Sequence, residues 1–178
     1  MAKKTSGKDA VIEVLNRARA AELAAIYQYM SQHYELADND YGQLAAQLKL
    51  VGIDEMRHAE VLAERILILK GTPTSKPDLE TKKKQPVLLI YQYNEGLEEG
   101  AVRDYNQFLA VCREHGDYVS AKIFEQLIVE EQIHLEYFQD VIGHIKDLGN
   151  VYLATQVGGA AEGAPAKGFV ASQGGAPA

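Results

Sequence analysis

Two glutamates in this sequence each lie 33 residues before a Glu-x-x-His pair. The two sets, which a shift of 76 residues superimposes, are Glu22, Glu55, His58 and Glu98, Glu131, His134. On an α-helix, residues at i and i+3 project from the same face, so one metal ion can contact both side chains of each pair. One Glu from each of two helices, with a Glu-x-x-His pair from each of two others, is the ligand set of di-iron and di-manganese carboxylate bundles. The spacing therefore predicts a dinuclear metal site, with these six residues as its metal ligands and catalytic groups.

The residue types favour iron or manganese in this site. Mixed carboxylate and imidazole ligation suits those metals, whereas a structural zinc site more often uses Cys and His. Four carboxylates in one apolar core are unfavourable unless cations neutralise them, because an unpaired buried charge is strongly destabilising. The alternative is that these glutamates are exposed helix charges, and the repeat and the spacing argue against it. We therefore expect the four carboxylates to be buried around metal ions.

Two tyrosines and two further acidic residues share the repeat. Tyr29 and Tyr105 each follow the first glutamate of their set by seven residues, which places them two turns along the ligand-bearing face. We expect their hydroxyl groups to support the ligands by hydrogen bonds, with electron donation as the alternative. Asp54 and Glu130 directly precede the motif glutamates. They orient the motif histidines, help to attract ions, or are ordinary solvated or salt-bridged residues.

Apolar residues recur with a helical period over most of the chain. The pattern predicts four long helices, at residues 8–37, about 41–70, about 86–115 and 118–148, and a short fifth at 150–156. Residues 71–85 contain two prolines and three consecutive lysines, so they predict a long polar connection. Two tight hairpins joined by one long crossover between the second and third helices define an all-α, ferritin-like four-helix bundle. The four glutamates fall near the middle of the four long helices, which places them at one height in the core.

Length, composition and charge limit the remaining possibilities. The 178 residues fit one domain at 1–157, followed by a Gly/Ala-rich tail at 158–178 that we expect to be flexible. The single Cys112 excludes an internal disulfide. The net charge of −7 argues against nucleic-acid binding, and neither a membrane-spanning apolar run nor a secretion signal is visible. We therefore expect a soluble, cytoplasmic protein that binds no membrane.

Three segments resemble the bacterioferritin family. Residues 53–60 read Ile-Asp-Glu-Met-Arg-His-Ala-Glu, Glu130 and Glu131 are followed by His134, and residues 117–120 read Asp-Tyr-Val-Ser. The resemblance covers nearly the whole chain before the tail. It implies an iron-storage ferroxidase that oxidises Fe²⁺ with dioxygen or hydrogen peroxide. It further implies a hollow shell of 24 subunits, built from two-fold dimers, that holds the ferric mineral.

Roles for particular residues follow from this resemblance. The implied di-iron centre has the bridging carboxylates Glu55 and Glu131, the terminal ligands Glu22 and Glu98, and the histidine ligands His58 and His134. Met56 is implied as the axial ligand of a haem shared between two subunits, through which an electron-donor protein would release iron. Because a helix turns about 100° per residue, Met56 faces away from the site that Glu55 faces. The 33-residue spacing selects Glu98 over its acidic neighbours.

One departure from the family and two rival functions remain. Leu50 stands where some members have a histidine on the cavity side of the second helix, so an inner-surface iron site there is in doubt. A di-metal peroxidase of the rubrerythrin type or a manganese catalase would use a similar ligand set without storing iron. The absence of a Cys-x-x-Cys module and the presence of Met56 argue against these enzymes. A non-catalytic cage with a structural site is the second rival.

Overall fold

The computed structural model describes residues 6–159 and 168–174, and within these ranges all regular structure is helical. The helices are α1 (Gly7–Asp38), α2 (Gly42–Ile68), α3 (Val87–Glu114), α4 (Tyr118–Leu148), α5 (Asn150–Thr155) and α6 (Phe169–Ser172). The predicted ends of the first five lie within two residues of these bounds. Within the described residues, no helix combines the length and apolar character needed to cross a membrane.

Local capping residues set the helix ends. Ser6 and Asp9 form a reciprocal capping box at the start of α1, which satisfies two backbone N–H groups that the helix leaves unpaired. Asp117 caps α4, since its carboxylate accepts a hydrogen bond from the backbone N–H of Ser120 at 3.0 Å. Gly149 ends α4 with a φ of 54°, a left-handed conformation that glycine adopts without a Cβ penalty.

The segment between α2 and α3 crosses the length of the bundle alongside α1. Near the start of the segment, the backbone N–H of Thr74 donates to Asn16 Oδ1 at 2.7 Å. Towards its end, the Gln28 side chain donates to the carbonyl of Lys82 and accepts from its N–H, at 2.9 and 2.8 Å. Because later residues of this segment contact later residues of α1, the segment runs parallel to α1. The chain thus returns to the end at which α2 began, and α3 and α4 form a second antiparallel hairpin beside the first.

Two apolar clusters fill the bundle, with a polar layer between them. One contains Tyr29, Leu36, Leu44, Ala45, Leu48, Val51, Ile90, Tyr91, Phe138, Val141, Ile142, Ile145 and Phe169. The other contains Val11, Val14, Leu15, Ala18, Leu62, Ile66, Tyr105, Phe108, Cys112, Ala121, Phe124 and Leu127. Burial of this apolar surface drives the four helices together, and the polar layer is held at mid-height by packing on both sides.

The tail holds a packed segment that its composition did not predict. In α6, Phe169 and Val170 are 3% and 5% exposed, and the helix lies against α2 and α4. Among the small residues of the tail these are the two large apolar side chains, and burying them orders residues 168–174. The expected flexibility of the rest of the tail concerns residues 160–167 and 175–178, which lie outside the described ranges. The domain boundary at 157 stays a prediction.

Replacing Asp117 with Ala is expected to lower the free energy of unfolding by about 1–3 kcal/mol, because a helix cap and a half-buried ion pair are lost together. The carboxylate binds Arg65 Nη2 at 2.7 and 2.9 Å. Burial raises the pKa of Asp117, but the Ser120 N–H and Arg65 bring it below its usual value. This stabilisation is therefore present above the unfolded-state pKa and is lost as the pH falls through the lower folded-state pKa.

Thermal unfolding followed by circular dichroism measures this effect. Glu125→Ala is the matched control, because its ion pair with Arg113 has both side chains at least half exposed. It should change the free energy by less than about 0.5 kcal/mol. Equal effects of the two variants would show that the cap and the Arg65 pair contribute nothing beyond a surface charge.

Candidate metal centre

The six residues of the repeated motif meet in the polar layer at the middle of the bundle. They come from four helices: Glu22 from α1, Glu55 and His58 from α2, Glu98 from α3, and Glu131 and His134 from α4. None of the six is more than 3% exposed. The structure also agrees with the choice of Glu98, because the adjacent Glu99 is exposed. The six residues predicted from the sequence therefore lie together in the structure, and their roles as metal ligands stay a prediction.

The cluster divides into two overlapping groups that could each hold a metal ion. The first group is Glu22, Glu55, His58 and Glu131, and the second is Glu55, Glu98, Glu131 and His134. Within each group, one potential ligand atom per residue lies within 4.8 Å of all the others. Glu55 and Glu131 belong to both groups. Two ions bound here would share these two carboxylates.

Each shared carboxylate turns one oxygen towards each histidine. Glu55 places Oε2 3.0 Å from His58 Nδ1 and Oε1 3.2 Å from His134 Nδ1. Glu131 places Oε1 3.1 Å from His58 Nδ1 and Oε2 3.2 Å from His134 Nδ1. A carboxylate with its two oxygens at two different sites has the geometry of a bridging ligand. Glu22 and Glu98 each approach a single imidazole, at 3.7 and 4.0 Å, as terminal ligands would.

Protons balance the charges of the cluster when no metal is bound. Burial lowers the pKa of both motif histidines, but the facing carboxylates raise it well above its usual range. Burial raises the pKa of Glu22 and Glu98, and repulsion from the two shared carboxylates raises it further. Burial also opposes ionisation of Glu131, but the two imidazoles bring its pKa below the usual range. Divalent cations entering this cluster would therefore displace protons.

Unpaired polar atoms show that the cluster fits a pair of cations. Glu55 Oε1 and Glu131 Oε1 are buried and have no hydrogen-bond partner of good geometry. Buried polar atoms are normally paired, and an unpaired buried acceptor is destabilising. Glu55 Oε1 lies 3.2 Å from His134 Nδ1 and Glu131 Oε1 lies 3.1 Å from His58 Nδ1, and cations bound to these carboxylates would satisfy both oxygens. Carboxylate oxygens and imidazole nitrogens are also the donors that iron and manganese accept.

The two repeat tyrosines support the terminal glutamates of the opposite repeat. Tyr29 of α1 donates a short hydrogen bond to Glu98 Oε1 of α3, and Tyr105 of α3 donates to Glu22 Oε1 of α1 at 2.5 Å. These reciprocal bonds arise because α1 and α3 are antiparallel and cross at the cluster. Both phenols are buried. In Glu98, Oε1 accepts from the tyrosine and Oε2 faces His134, whereas in Glu22 the same Oε1 accepts from Tyr105 and lies 3.7 Å from His58 Nδ1. The structure thus favours the supporting role over electron donation.

Replacing Tyr29 with Phe is expected to weaken metal binding by roughly tenfold, since hydrogen-bond partners of metal ligands typically contribute 10–100-fold to affinity. The Glu98 carboxylate would lose the donor that fixes its orientation. Titration with Co²⁺, which is followed by its visible absorption and needs no oxidation, measures the change. Tyr91→Phe is the control, because its buried hydroxyl bonds another tyrosine, Tyr137, at 3.1 Å. Equal affinities in the two variants would contradict the supporting role.

A second pair of acidic residues lies behind the histidines. Glu130 Oε2 is 3.0 Å from His58 Nε2, and Asp54 Oδ2 is 3.5 Å from His134 Nε2. Each carboxylate thus faces the imidazole of the other motif, on the side opposite the cluster. His58 Nε2 is hydrogen-bonded to Glu130, whereas His134 Nε2 faces Asp54 at 3.5 Å without a hydrogen bond of good geometry. In both rings Nδ1 faces the cluster, as in carboxylate–histidine–metal arrangements. This geometry favours the orienting role over an ordinary surface role for both residues.

The site has an approach from one side of the bundle. A crevice of about 430 Å³ lies between α1 and α3 and reaches all four glutamates. Its outer walls carry charged side chains of α1, α3 and the crossover: Arg17, Asp78, Glu80, Arg103 and Asp104. On the opposite side, between α2 and α4, α6 covers Asp54 and His134. In the sequence, only the Phe-Val pair in the tail indicates this cover.

Met56 lies on the outside of the bundle, as the helical rotation from Glu55 predicts. Its side chain is 51% exposed, which is unusual for a methionine on a long buried helix. It lines a groove between α1 and α2 whose other lining residues are both apolar and charged, among them Leu23, Ile26, Ile53, Arg19, Arg57 and Glu60. A thioether set among apolar side chains on an open surface suits a flat, largely apolar group with a metal at its centre.

Comparisons with known proteins agree with this fold and site. Residues 12–148 match the Ferritin family model, described as a ferritin-like domain, so the chain is a ferritin-like protein. Bacterioferritin from Desulfovibrio desulfuricans is 52% identical over 164 residues, which are 92% of each chain. Bacterioferritin from Streptomyces coelicolor is 35% identical and aligns with 85% of this chain and 91% of its own. The chain therefore belongs to the bacterioferritin family.

Solved structures extend the comparison to three dimensions. The X-ray structure of the Desulfovibrio desulfuricans bacterioferritin, whose description names a diiron site in different catalytic states, superposes with a TM-score of 0.87. The superposition covers 92% of this chain and 96% of that one, at 52% identity. BfrA from Mycobacterium tuberculosis superposes with a TM-score of 0.79 at 28% identity, covering 83% and 93% of the two chains. The ferritin-like bundle predicted from the sequence is thus confirmed.

Proposed function

We propose that this protein is an iron-storage ferroxidase, in which Fe²⁺ is the substrate and the buried cluster is the catalytic site. The observation that carries the proposal is the sharing of Glu55 and Glu131 between two metal-binding groups. Two Fe²⁺ ions held so close together can deliver two electrons to one oxidant. Those two electrons, with two protons from the solvent, reduce one dioxygen to hydrogen peroxide, or one hydrogen peroxide to two waters, and leave two Fe³⁺.

The charge of the cluster suits this substrate. Four ionised carboxylates carry four negative charges, which two Fe²⁺ neutralise, so the buried pair is electrostatically balanced before oxidation. His58 and Glu22 would complete the coordination of one ion, and His134 and Glu98 that of the other. Tyr29 and Tyr105 keep the terminal carboxylates oriented for this task. The crevice between α1 and α3 supplies the route by which ions reach the four glutamates.

Storage requires an assembly, and we infer the homo-24-mer of two-fold dimers that the family resemblance implies. Several large apolar side chains are exposed on the single chain, among them Tyr34, Leu67, Ile68 and Val151. These side chains are available for apolar contacts between subunits. The ferric mineral would be held inside the shell, in the cytoplasm, and an electron-donor protein would promote its release.

We also infer a haem at the two-fold dimer interface. Met56 would supply the axial sulfur from each partner, and the apolar side chains of the groove would contact the porphyrin. When bound, the haem would supply one-electron transfer for iron release. Met56 is suited to this role because it is exposed in the single chain and faces away from the metal centre.

Size-exclusion chromatography with haem absorbance, followed by Fe²⁺ addition to the eluted peak, tests the proposal. We expect a particle of about 24 subunits that carries haem and accumulates far more Fe³⁺ than two ions per subunit. A small haem-free oligomer that turns over hydrogen peroxide without retaining iron would instead identify a di-metal peroxidase or catalase. A cage that assembles but oxidises no Fe²⁺ at the cluster would make the site structural.

A further inference from the structure

The tail segment 168–174 binds the carboxylate that stands behind His134. The backbone N–H of Val170 donates to Asp54 Oδ2 at 2.8 Å, and this is the oxygen that lies 3.5 Å from His134 Nε2. The Phe169 ring lies against the same imidazole, with ring centroids 6.0 Å apart, and against Tyr137 at 4.7 Å. The segment therefore contacts both the histidine and the group that orients it.

This contact makes the two halves of the centre different. The repeat supplies Asp54 and Glu130 at equivalent positions, each facing one motif imidazole. The Asp54 side chain is 3% exposed beneath α6, whereas the Glu130 side chain is 17% exposed. Asp54 is held by the Val170 N–H and by Arg57 at 3.0 Å, whereas Glu130 accepts from the exposed Gln126. The tail thus holds the carboxylate that faces His134. Among the described residues, no hydrogen bond joins the tail to Glu130, which faces His58.

A glycine makes the close approach possible. Gly168 has a φ of 87°, and a Cβ built on it would overlap Asp54 Oδ1 and Arg57 Nη1. The backbone can reach Asp54 only because this position has no side chain. Gly174, also in the tail, has a φ of 76° but open space around it. The two positions therefore share a backbone conformation and differ in what a side chain would meet.

We propose that residues 168–174 are a positioning element of the metal centre, which closes its α2–α4 side and holds Asp54 against His134. The inference rests on the proposed function, since it assigns the segment to the ion that His134 binds. An imidazole held by a fixed carboxylate loses less freedom on binding a metal, so the ion at His134 is bound more tightly than the repeat alone would allow. With the α2–α4 side covered, ions exchange through the crevice between α1 and α3.

Comparing Gly168→Ala with Gly174→Ala in the full-length assembled protein tests the proposal. Both variants place Ala at a positive φ, but only the first collides with Asp54. Titration with Co²⁺ should show two ions per subunit in the unaltered protein. In Gly168→Ala, we expect the affinity of one ion to fall roughly tenfold, since the loss of a hydrogen-bond partner of a metal ligand typically has an effect of this size. The affinity of the other ion should be unchanged. Gly174→Ala should retain both affinities.

Hydrogen exchange measured by mass spectrometry reports the docking of the segment without metal. The peptide containing residues 168–174 should be protected in the unaltered protein and in Gly174→Ala, and should exchange roughly tenfold or more faster in Gly168→Ala. Asp54→Ala should release the segment as well, because it removes the acceptor of the Val170 N–H. In the Asp54→Ala background, Gly168→Ala should add little, since one collision partner is gone and the long Arg57 side chain, which Asp54 holds at 3.0 Å, can shift away from the added Cβ.

The outcomes separate this inference from the proposed function. If the unaltered protein binds two Co²⁺ and Gly168→Ala matches Gly174→Ala in affinity and exchange, the positioning role is overturned and the metal centre stands. Equal weakening of both ions would also overturn it, because a general loss of structure would affect the two halves alike. If the unaltered protein binds no pair of ions, the proposed function fails first. Should Gly168→Ala not assemble, Phe169→Ala repeats the comparison, with Gln173→Ala as control because the Gln173 side chain is exposed.

Discussion

Replacing Glu131 with Ala is expected to slow the fast oxidation of Fe²⁺ by roughly 100-fold or more, because one substitution removes a ligand from both ions. Its Oε1 is 3.1 Å from His58 Nδ1 and its Oε2 is 3.2 Å from His134 Nδ1. Loss of a terminal ligand such as Glu22 would weaken only one ion. The bridging position therefore gives Glu131 a larger effect than the terminal glutamates.

The variant should remain folded, which makes the kinetic result interpretable. The apolar clusters on either side of the site hold the helices together, and removing Glu131 relieves its repulsion of Glu22 and Glu98 while it removes its attraction to His58 and His134. Co²⁺ should raise the thermal midpoint of the unaltered protein, because a ligand that binds only the folded state stabilises it. The same addition should not stabilise Glu131→Ala. The combination of an intact shell and a lost metal response would locate the defect at the site.

Stopped-flow absorbance after Fe²⁺ addition measures the oxidation rate, and Glu136→Ala provides the control. Glu136 is on the same helix, but it is exposed and contacts Gln132 rather than the cluster. Its replacement should leave the fast phase unchanged. A fast phase that persists in Glu131→Ala would show that Fe²⁺ is oxidised elsewhere on the protein.

The sequence predicted those features that depend on local pattern. Helix ends agree closely with the structure because the groups that end a helix, such as Ser6, Asp117 and Gly149, lie within a few residues of it. The cluster could be predicted because the motif occurs twice with one spacing, and two like hairpins bring like positions together. In both cases the information lies within one helix or one repeat.

Features that depend on contacts between residues far apart in the sequence could not be predicted from local pattern. The bond from Tyr29 to Glu98 joins different repeats, and its partner follows only from the antiparallel crossing of α1 and α3. The bond from Val170 to Asp54 spans 116 residues of sequence. Averaged composition hid that contact, because Phe169 and Val170 stand among glycines and alanines. A tail of low complexity can thus contain a specific contact where two apolar residues have a buried surface to meet.

Replacing Met56 with Leu is expected to reduce bound haem to roughly a tenth or less of its normal content, because the side chain keeps its size but loses the sulfur that would bind the iron. Met and Leu exchange with little effect on stability, and this side chain is half exposed. The variant should therefore fold normally. Since Met56 lies outside the metal centre, its fast Fe²⁺ oxidation should match that of the unaltered protein.

Haem absorbance relative to protein, measured on the size-exclusion peak, decides the outcome, and Met30→Leu is the matched control. Met30 is the other methionine within the helical bundle and lies on α1, where its sulfur is near Gly52. The Met30→Leu variant should keep its haem, because Met30 does not line the groove around Met56.

Loss of haem in both variants would indicate a general effect on the dimer interface. Full haem content in Met56→Leu would mean that another residue binds the iron, although the groove could still receive the porphyrin. Loss in Met56→Leu alone, with oxidation intact, would show that haem binding and Fe²⁺ oxidation are separate functions of opposite faces of α2.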